Sequence, residues 1–259
     1  LKAEGTGKCS IVYHLPEVTT FESHLIRARL NRNKADPQFY FYFFQTYLGR
    51  ATVLSIAKQV GAAGLPGSKL AGLSVPKPSP PIQSRIADIL SAYDDLVENN
   101  RRRMALLEDA ARQLYREWFV RLRFPGHEHT RIVNGVPEGW SRKILGELCE
   151  EIRESVLPET LEPDTPYIGL EHLPRRSISL SEWGTAEQVT SSKHRFREGE
   201  VLFGKIRPYF HKVGVAFVDG VASSDAIVIR ALRPLFRGLV LMTASSDPFV
   251  AVTAQTMRE

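Results

Sequence analysis

The sequence predicts an α+β protein in which two mixed α/β domains are joined by one long, coiled-coil-like α-helix. Residues 82–121 contain neither Pro nor Gly, and their apolar residues recur at alternating intervals of four and three, which is the seam spacing of a coiled coil. On both sides, segments with strand-like alternation are mixed with segments of helical spacing. A weak internal similarity relates the two flanking parts, so we expect each to be a domain.

Residues 1–80 are predicted to form the first domain. Strands are expected at 10–14 and 21–29, followed by a helix that begins after Asp36-Pro37 and is rich in aromatic residues. We interpret this aromatic density as core packing, and base stacking is the alternative. The Pro-rich segment 75–78 cannot lie in a central strand, so it leads as extended chain into the long helix.

Residues 81–124 are predicted to form a spacer and assembly helix. Forty residues at 1.5 Å each would span about 60 Å, which is more than the core of a 259-residue protein requires. A helix packed inside one large domain is the alternative, although helices average about a dozen residues. The three arginines 101–103 are either a solvated face or a contact for an acidic partner.

The apolar seam of this helix is the predicted docking surface for partner subunits. One polar residue within it, Asn100, can set the register and number of the partner helices. The predicted docking residues are Leu90, Tyr93, Val97, Asn100, Met104, Leu107, Leu114 and Trp118.

Residues 125–138 are predicted to be a polar linker, and residues 139–259 a second domain. A helix is expected after Pro234, and the chain stops within it. Strands are expected at 167–170, 177–180, 201–203, 213–218 and 226–229.

An internal repeat relates the two domains. A shift of 203 positions places Ile26-Arg27-Ala28 on Ile229-Arg230-Ala231, and Glu22 on Asp225. We interpret residues 1–80 as the back of one copy and residues 139–259 as the front of another. Both copies are then incomplete, and we expect the chain to be part of a longer protein.

The positive charge of the chain is concentrated in two blocks. The formal net charge is +5, with an isoelectric point near 9.2. Residues 1–81 hold ten Lys or Arg against four Asp or Glu, and residues 191–237 hold nine against four. Residues 139–190 between them hold five against ten. Separate basic blocks favour two surfaces that bind a polyanion.

Composition also excludes several classes of protein. No run of 18 apolar residues is present, so we expect no contact with a membrane. The two cysteines, Cys9 and Cys149, build neither a disulfide framework nor a zinc site, and we expect a reducing, cytoplasmic location. No Gly-rich phosphate loop, metal-ligand spacing, nucleophile elbow, or methyltransferase or nuclease signature is found. The sequence therefore indicates binding rather than catalysis.

The best candidate binding surface is the basic segment 205–212, which follows Gly204. Arg and Lys neutralise phosphates or grip guanine, and hydroxyl and imidazole groups read base edges. The alternative is an ordinary basic hairpin with Tyr209 and Phe210 in the core. The predicted DNA-binding residues are Lys205, Arg207, Tyr209, His211, Lys212, Ser223 and Ser224, together with Thr19, Thr20, Ser23 and His24 at the corresponding places in the first domain.

The helix sequence carries a family resemblance. It is similar to the central helix of the DNA specificity subunits of type I restriction–modification systems. Gly139-Trp140 and the run from Gly199 to Pro208 resemble the start and the characteristic strand and loop of their second target-recognition domain. The residues that fill the helix pattern are Pro80-Pro81, Gln83, Ile86-Ala87, Leu90, Asp94, Asn99/Asn100-Arg101, Leu107-Glu108, Leu114-Tyr115 and Trp118-Phe119.

The resemblance implies two target-recognition domains, each reading one half of a split site in double-stranded DNA. It implies that the long helices set the spacing between the halves and pack against methyltransferase subunits. Methylation with S-adenosylmethionine then belongs to those subunits, and ATP-driven translocation and cleavage to a restriction/translocase subunit. The chain itself is expected to be non-catalytic and to hold no cofactor.

Two other functions remain open on the sequence. The chain could be the specificity segment of a fused methyltransferase–nuclease, in which case catalytic motifs would precede it. It could also be a structural coiled-coil adaptor, which predicts no salt-dependent binding to DNA, whereas phosphate neutralisation requires a steep dependence on salt.

Overall fold

The structure is a computed structural model that describes residues 7–15, 17–22, 25–60 and 67–256. The chain divides into two compact units, Leu1–Asn100 and Arg101–Glu259. Helices and sheets are both present, which confirms the predicted α+β class. The predicted domain boundaries at 80, 124 and 138 stay a prediction.

Outside the sheets of the second unit, most of the described regular structure is helical. A π-helical turn, Arg116–Val120, continues the longest of them without a break. The α-helices of the described residues are α1 (Pro37–Gln45), α2 (Tyr47–Val60), α3 (Gly67–Ala71), α4 (Pro80–Tyr115), α5 (Arg237–Ala244) and α6 (Asp247–Thr256).

The first unit is helical or irregular in its described residues, so the strands predicted at 10–14 and 21–29 are wrong. A strand exists only when a neighbour accepts and donates its ladder hydrogen bonds, and the described part of this unit offers no such neighbour. Helix α1 forms as predicted because Asp36 caps it. The Asp36 carboxylate accepts hydrogen bonds from the backbone N–H groups of Gln38 at 2.8 Å and Phe39 at 3.1 Å.

The aromatic residues of α1 supply the core of the first unit. Phe39 and Tyr40 are buried and pack with Ala87 of α4, which confirms the interpretation of the aromatic run as core. The Tyr40 hydroxyl donates to the Pro76 carbonyl at 3.0 Å, so a polar tip is satisfied inside an apolar cluster.

Gln83, in the first turn of α4, fixes three segments of this unit together. Its side chain is fully buried. The amide oxygen accepts from the Asp36 N–H at 2.8 Å, and the amide nitrogen donates to the Pro78 carbonyl at 2.7 Å. The start of α1 and the Pro-rich segment are thereby attached to α4.

Replacing Gln83 by Leu should destabilise the first unit while keeping the side-chain volume. Each of the two backbone groups left unpaired costs about 1–3 kcal/mol. We expect the amides of α1 to exchange with solvent correspondingly faster, measured by hydrogen exchange. Ser84→Ala, at the exposed neighbouring position, is the matched control, and an equal effect of both substitutions would contradict this role of Gln83.

Helix α4 and its π-helical turn form the long helix that the sequence predicts. The helix runs for 36 residues and the turn for five. Pro80 and Pro81 lie in its first turn, where their missing N–H groups are not needed. The Ser79 carbonyl accepts from the N–H groups of Ile82 and Gln83, both at 3.0 Å, so the predicted start is confirmed.

The second unit contains a five-stranded and a four-stranded sheet. Their strand orders are β4-β7-β10-β5-β6 and β3-β11-β8-β9, and β1 and β2 form a short separate ribbon. Among these pairs, β10 and β5 are parallel. The strands of the described residues are β1 (Ile132–Val133), β2 (Val136–Pro137), β3 (Cys149–Ile152), β4 (Ser155–Val156), β5 (Pro166–Ile168), β6 (Gly184–Thr185), β7 (Lys193–Phe196), β8 (Val201–Gly204), β9 (Val213–Val215), β10 (Gly220–Ala222) and β11 (Ala226–Ala231).

Strand β8 is buried on both faces because it separates two apolar clusters. Leu202 packs with Phe196 and Ile168 on one side. Val201 and Phe203 pack with Val240 of α5 and its neighbours on the other. A continuous apolar run is what such a doubly covered strand requires, and the prediction at 201–203 is confirmed. The strand predicted at 177–180 is wrong, since only one isolated bridge, Ser179 to Val215, forms there.

The corners between α1 and α2 and between α5 and α6 are built alike. The Thr46 hydroxyl donates to the Phe43 carbonyl at 2.7 Å and accepts from the Gly49 N–H at 3.1 Å. Ser246 makes the same pair of contacts, at 2.7 Å to the carbonyl three residues before it and at 3.4 Å from the N–H three residues after it. The two hydroxyl residues are 200 positions apart, three fewer than the shift of 203 that relates the segments before them. This similarity supports the repeat at its helical end.

The C-terminal half of α4 is attached to the second unit through Glu108. This carboxylate is only 8% exposed. Its Oε1 accepts hydrogen bonds from the Ser177 hydroxyl at 2.8 Å and the Ser179 N–H at 3.0 Å. Arg112, one helical turn further, pairs with the other oxygen at 3.1 Å. The two residues thus form an i,i+4 ion pair that is half-buried rather than solvated.

Glu108 makes the stability of the second unit depend on pH. Burial raises the pKa of this carboxyl, but hydrogen bonds from Ser179 and Ser177 outweigh that effect and hold the pKa below its ordinary value. Such a group stabilises the fold above the ordinary glutamate pKa of about 4.3. That contribution is lost as the pH falls through the lowered, folded-state pKa.

We therefore expect the difference in unfolding free energy between the wild type and Glu108→Gln to be largest near neutral pH and to shrink in acid. Urea unfolding followed by fluorescence measures it, because Trp118, Trp140 and Trp183 all lie in this unit. A difference that stays constant from neutral pH to below the ordinary glutamate pKa would contradict the assignment.

Candidate nucleic-acid interface

The candidate recognition loop consists of residues 205–212 and connects β8 to β9. The Gly204 N–H donates to the Lys212 carbonyl at 2.8 Å and closes it. Within it, Pro208–Phe210 form a 3-10 turn, flanked by Arg207 and His211 with φ angles of 52° and 50°. Left-handed backbone is uncommon for such residues, so the contacts that hold the loop decide its shape.

Residues of this loop divide into an exposed set and an anchored set. Lys205, Arg207 and Tyr209 are exposed. Their cationic and hydroxyl groups are free to meet a ligand, because no side-chain hydrogen bond or ion pair holds them within the described residues. This is the arrangement that the sequence predicts for these three positions.

His211 and Lys212, also predicted to bind DNA, belong to the anchored set. The His211 ring is 8% exposed, with Nδ1 at 3.4 Å from the Ser245 carbonyl and Nε2 at 3.4 Å from the Asp247 carboxylate. The Lys212 ammonium donates to the Leu170 carbonyl. Both side chains thus hold the loop on the domain, and we assign them to its support rather than to contact with a ligand.

Phe210 completes the support of the loop. The guanidinium of Arg175 lies over its ring, 4.1 Å from the centroid, which is a cation–π contact. The half-buried Phe210 agrees with the alternative that placed it in the core, whereas Tyr209 is 58% exposed. The two adjacent aromatic residues therefore have different roles.

The turn 223–225 borders the candidate loop. The Lys205 N–H donates to the Asp225 carbonyl at 3.0 Å. Ser224 is exposed. Ser223 is buried, and its hydroxyl accepts from the Asp225 N–H at 3.2 Å. Ser224 can therefore meet a ligand beside Lys205, while Ser223 shapes the turn.

Arg153 and Arg195 were missed by the sequence analysis. Arg153 is exposed and pairs with Glu151 at 2.6 Å, and Arg195 pairs with Glu154 at 3.1 Å. A hydrogen bond from Arg153 holds the pKa of Glu151 below its ordinary value, and the charge of Lys205 adds to that effect. The charges of Lys205 and Arg153 therefore act on the same carboxylate. Arg153 lies in the stretch 139–190, whose overall acidic composition hid it.

The residues predicted in the first unit are only partly described. Thr19 and Thr20 are exposed, and the Thr19 hydroxyl donates to the Glu17 carbonyl at 3.0 Å. Ser23 and His24 lie outside the described residues. A role of these four residues in DNA binding stays a prediction.

The apolar seam of α4 and its π-helical turn is exposed throughout. Side chains at the predicted docking positions range from 37% exposed at Trp118 to 68% at Leu107, and Asn100 is exposed among them. An apolar stripe of this length is unusual on a protein surface and marks an interaction site. The seam residues concerned are Leu90, Tyr93, Val97, Met104, Leu107, Leu114 and Trp118.

Neither a metal cluster nor a single membrane-spanning helix is found in the described residues. No group of three or more His, Cys, Asp or Glu in that part of the chain is placed to hold a metal ion. No single helix there is long and apolar enough to cross a membrane, although the bent pair Pro234–Ala244 and Asp247–Gln255 together has the required length and composition.

The chain is similar in sequence to known specificity subunits. Residues 3–109 match the family model of the type I restriction modification DNA specificity domain. The MjaIX specificity subunit of Methanocaldococcus jannaschii is 28% identical over 144 residues, which are 52% of this chain and 33% of that protein. The EcoDI specificity subunit of Escherichia coli is 25% identical over 184 residues, 61% of this chain and 41% of that protein.

The chain thus spans about a third to two-fifths of the length of these curated relatives. Among solved structures it is similar to the HsdS subunit from Thermoanaerobacter tengcongensis, with a TM-score of 0.35 and 17% identity over 88% of this chain and 64% of that one. The family match begins in the first unit and includes Gln83 and Glu108, which the helix pattern contains and the structure shows buried in hydrogen bonds. Over residues 3–109 the chain is therefore similar to the DNA specificity domain of type I restriction–modification systems.

Proposed function

We propose that this chain is a non-catalytic DNA-recognition and assembly part of a type I restriction–modification complex. The observation that carries the proposal is the loop 205–212, which presents Lys205, Arg207 and Tyr209 to solvent on an anchored frame. Because the loop is already held in place, less conformational entropy is lost when it binds a ligand. Such preorganisation suits a surface that recognises a DNA sequence.

The proposed ligand of the loop is double-stranded DNA. Lys205 is placed to neutralise a phosphate, and Arg207 either does the same or grips guanine through two hydrogen bonds. Ser224 and the Tyr209 hydroxyl add donors and acceptors at the same surface. Arg153, whose charge acts on the same Glu151 carboxylate as that of Lys205, would meet a further phosphate.

A bipartite mode of reading is part of the proposal. The second unit would read one half of a split site through this loop, and the first unit would read the other half. The similarly built helix corners at Thr46 and Ser246 support two copies of one kind of domain. The long helix between the copies would then set the number of base pairs that are not read.

The proposed protein partners are methyltransferase subunits that pack on the seam of α4. Burial of this apolar stripe would release ordered water and supply the free energy of association. S-adenosylmethionine and ATP would bind to partner subunits, and a restriction/translocase subunit would join through the complex. The complex would act in the cytoplasm.

A salt series on a mixed-sequence duplex tests the DNA part of the proposal. The chain, co-expressed with its methyltransferase subunit, is titrated against fluorescent duplex at several salt concentrations. We expect the logarithm of the binding constant to fall linearly with the logarithm of salt, by about 0.9 for each phosphate neutralised. Binding that does not depend on salt, or no binding, would favour the structural adaptor instead.

A further inference from the structure

Residues 175–179, which we call the strap, lie between helix α4 and the recognition loop. The sequence predicts a strand here, but the strap contributes single bridges to its neighbours instead. On the side of α4, Glu108 accepts from Ser177 and Ser179, and the Arg112 guanidinium donates to the Arg176 carbonyl at 2.7 Å. Two charged residues of α4 therefore hold the strap at Arg176, Ser177 and Ser179.

The other side of the strap holds the end of the recognition loop and the strand that follows it. The Arg176 N–H donates to the His211 carbonyl at 3.2 Å, and the Val215 N–H donates to the Ile178 carbonyl at 2.9 Å. Arg175 pairs with Lys212 in an isolated bridge and covers the ring of Phe210. The strap thus connects α4 to the anchored residues of the loop through a continuous set of hydrogen bonds.

We propose that Glu108 and Arg112 are positioning residues for DNA recognition, which hold the loop 205–212 in a fixed orientation to the C-terminal half of α4 through the strap. The part of this inference that concerns DNA rests on the proposed function. Neither side chain lies in the loop. A change on the assembly helix would therefore alter the recognition surface without removing a group that meets DNA.

The chemistry of Glu108 explains why this contact is strong enough to act on the loop. A carboxylate that accepts from an N–H, a hydroxyl and a guanidinium forms charge-assisted hydrogen bonds, which are about twice as strong as neutral ones. The Glu108 carboxylate is largely shielded from water, so removing it leaves the half-buried Ser179 N–H without its partner. The freed strap then loses its fixed position against His211 and Val215.

Hydrogen exchange on the DNA-free chain tests the mechanical part of the inference. Glu108→Ala removes every contact of the carboxylate, and Glu108→Gln keeps the volume and one acceptor oxygen in case the first variant does not fold. Asp109→Asn is the matched control, because it removes a charge from the adjacent position, where the carboxylate is exposed and accepts from Gln113 of the same helix.

We expect the amides of Ser179, Arg176, His211 and Val215 to exchange about tenfold faster or more in the Glu108 variants. Amides of the central strand β10 should keep their rates, and Asp109→Asn should change none of these. Faster exchange at Ser179 with unchanged rates at Arg176 and Val215, whose N–H groups form the hydrogen bonds between the strap and its neighbours, would overturn the inference, because the strap would then not transmit the change. A uniform increase throughout the second unit would overturn it as well, since Glu108 would then act on global stability.

A salt series separates positioning from direct contact with DNA. In Glu108→Gln we expect the affinity for duplex to fall about tenfold with the salt slope unchanged, because no cation that meets a phosphate has been removed. A reduced slope would overturn the positioning role. If the wild type itself shows no salt-dependent binding, the proposed function fails, and the exchange rates at Arg176 and Val215 still decide whether Glu108 holds the loop through the strap.

Discussion

Replacing Leu107 by Asp should abolish the stable association of this chain with the proposed methyltransferase partner. Leu107 is the most exposed of the predicted seam residues, at 68%. A carboxylate at the centre of an apolar interface must lose its hydration without a partner, and changes at such central positions cost about 2–4 kcal/mol or more. The dissociation constant of the complex should therefore rise at least about 30-fold. Co-purification followed by sizing chromatography tests whether the complex survives.

Ala105→Asp is the matched control for this prediction. Position 105 is also exposed, and it lies about 160° around the helix from Leu107. The control introduces the same charge into the same helix outside the seam, so it should leave the complex intact. A complex that survives Leu107→Asp, or that is weakened equally by both changes, would contradict the docking of the partner on the seam.

The double change Lys205→Ala and Arg207→Ala should weaken the binding of DNA by about 30- to 900-fold at constant salt, because it removes two contacts of about 1–2 kcal/mol each. The salt slope should fall by about two if both residues meet phosphates, and by about one if Arg207 reads a base. Association with the methyltransferase subunit should not change, since neither residue lies on α4. Fluorescence titration of labelled duplex across a salt series measures both quantities.

A variant with Lys143→Ala and Arg233→Ala provides the comparison at equal net charge. Both positions are exposed and lie outside the loop. If this pair reduced affinity and slope as much as the loop pair does, the general charge of the domain would account for binding, and the loop would have no special role.

The long helix could be predicted closely because its information is local. The sequence predicts the helix at 81–124, and in the structure it runs from Pro80 to Val120. Three local signals are sufficient: the apolar residues are regularly spaced, the only prolines lie in the first turn, and the residues after them include neither Gly nor Pro. The same pattern predicted the seam, whose apolar residues are exposed in the structure.

Features that depend on distant partners could not be predicted. The segment 10–14 has the alternation of a strand and lacks a neighbour, whereas the strap has neighbours and forms only single bridges. Strand formation is a property of pairs of segments, and pattern along one segment does not show which pair will form. The same limit explains the error at 177–180.

The role of each charged residue was also hidden from the sequence. Glu108 and Arg112 have the i,i+4 spacing of a helical ion pair and form one, but the other partners of Glu108 are Ser177 and Ser179, 69 and 71 positions away. His211 and Lys205 are both basic residues of one loop, yet one is buried and the other exposed. Residue type alone did not separate the exposed residues of the loop from those that hold the loop in place.

Selection from a pool of randomised duplexes tests the central claim most directly. The complex of this chain with its methyltransferase subunit is incubated with the pool, and bound duplexes are recovered and sequenced, in parallel with the Lys205→Ala and Arg207→Ala variant. The account predicts that the wild type enriches a defined sequence and that the variant enriches it much less or not at all. Recovery of an unselected pool by the wild type, or the same enrichment by both proteins, would contradict recognition of DNA by the loop 205–212.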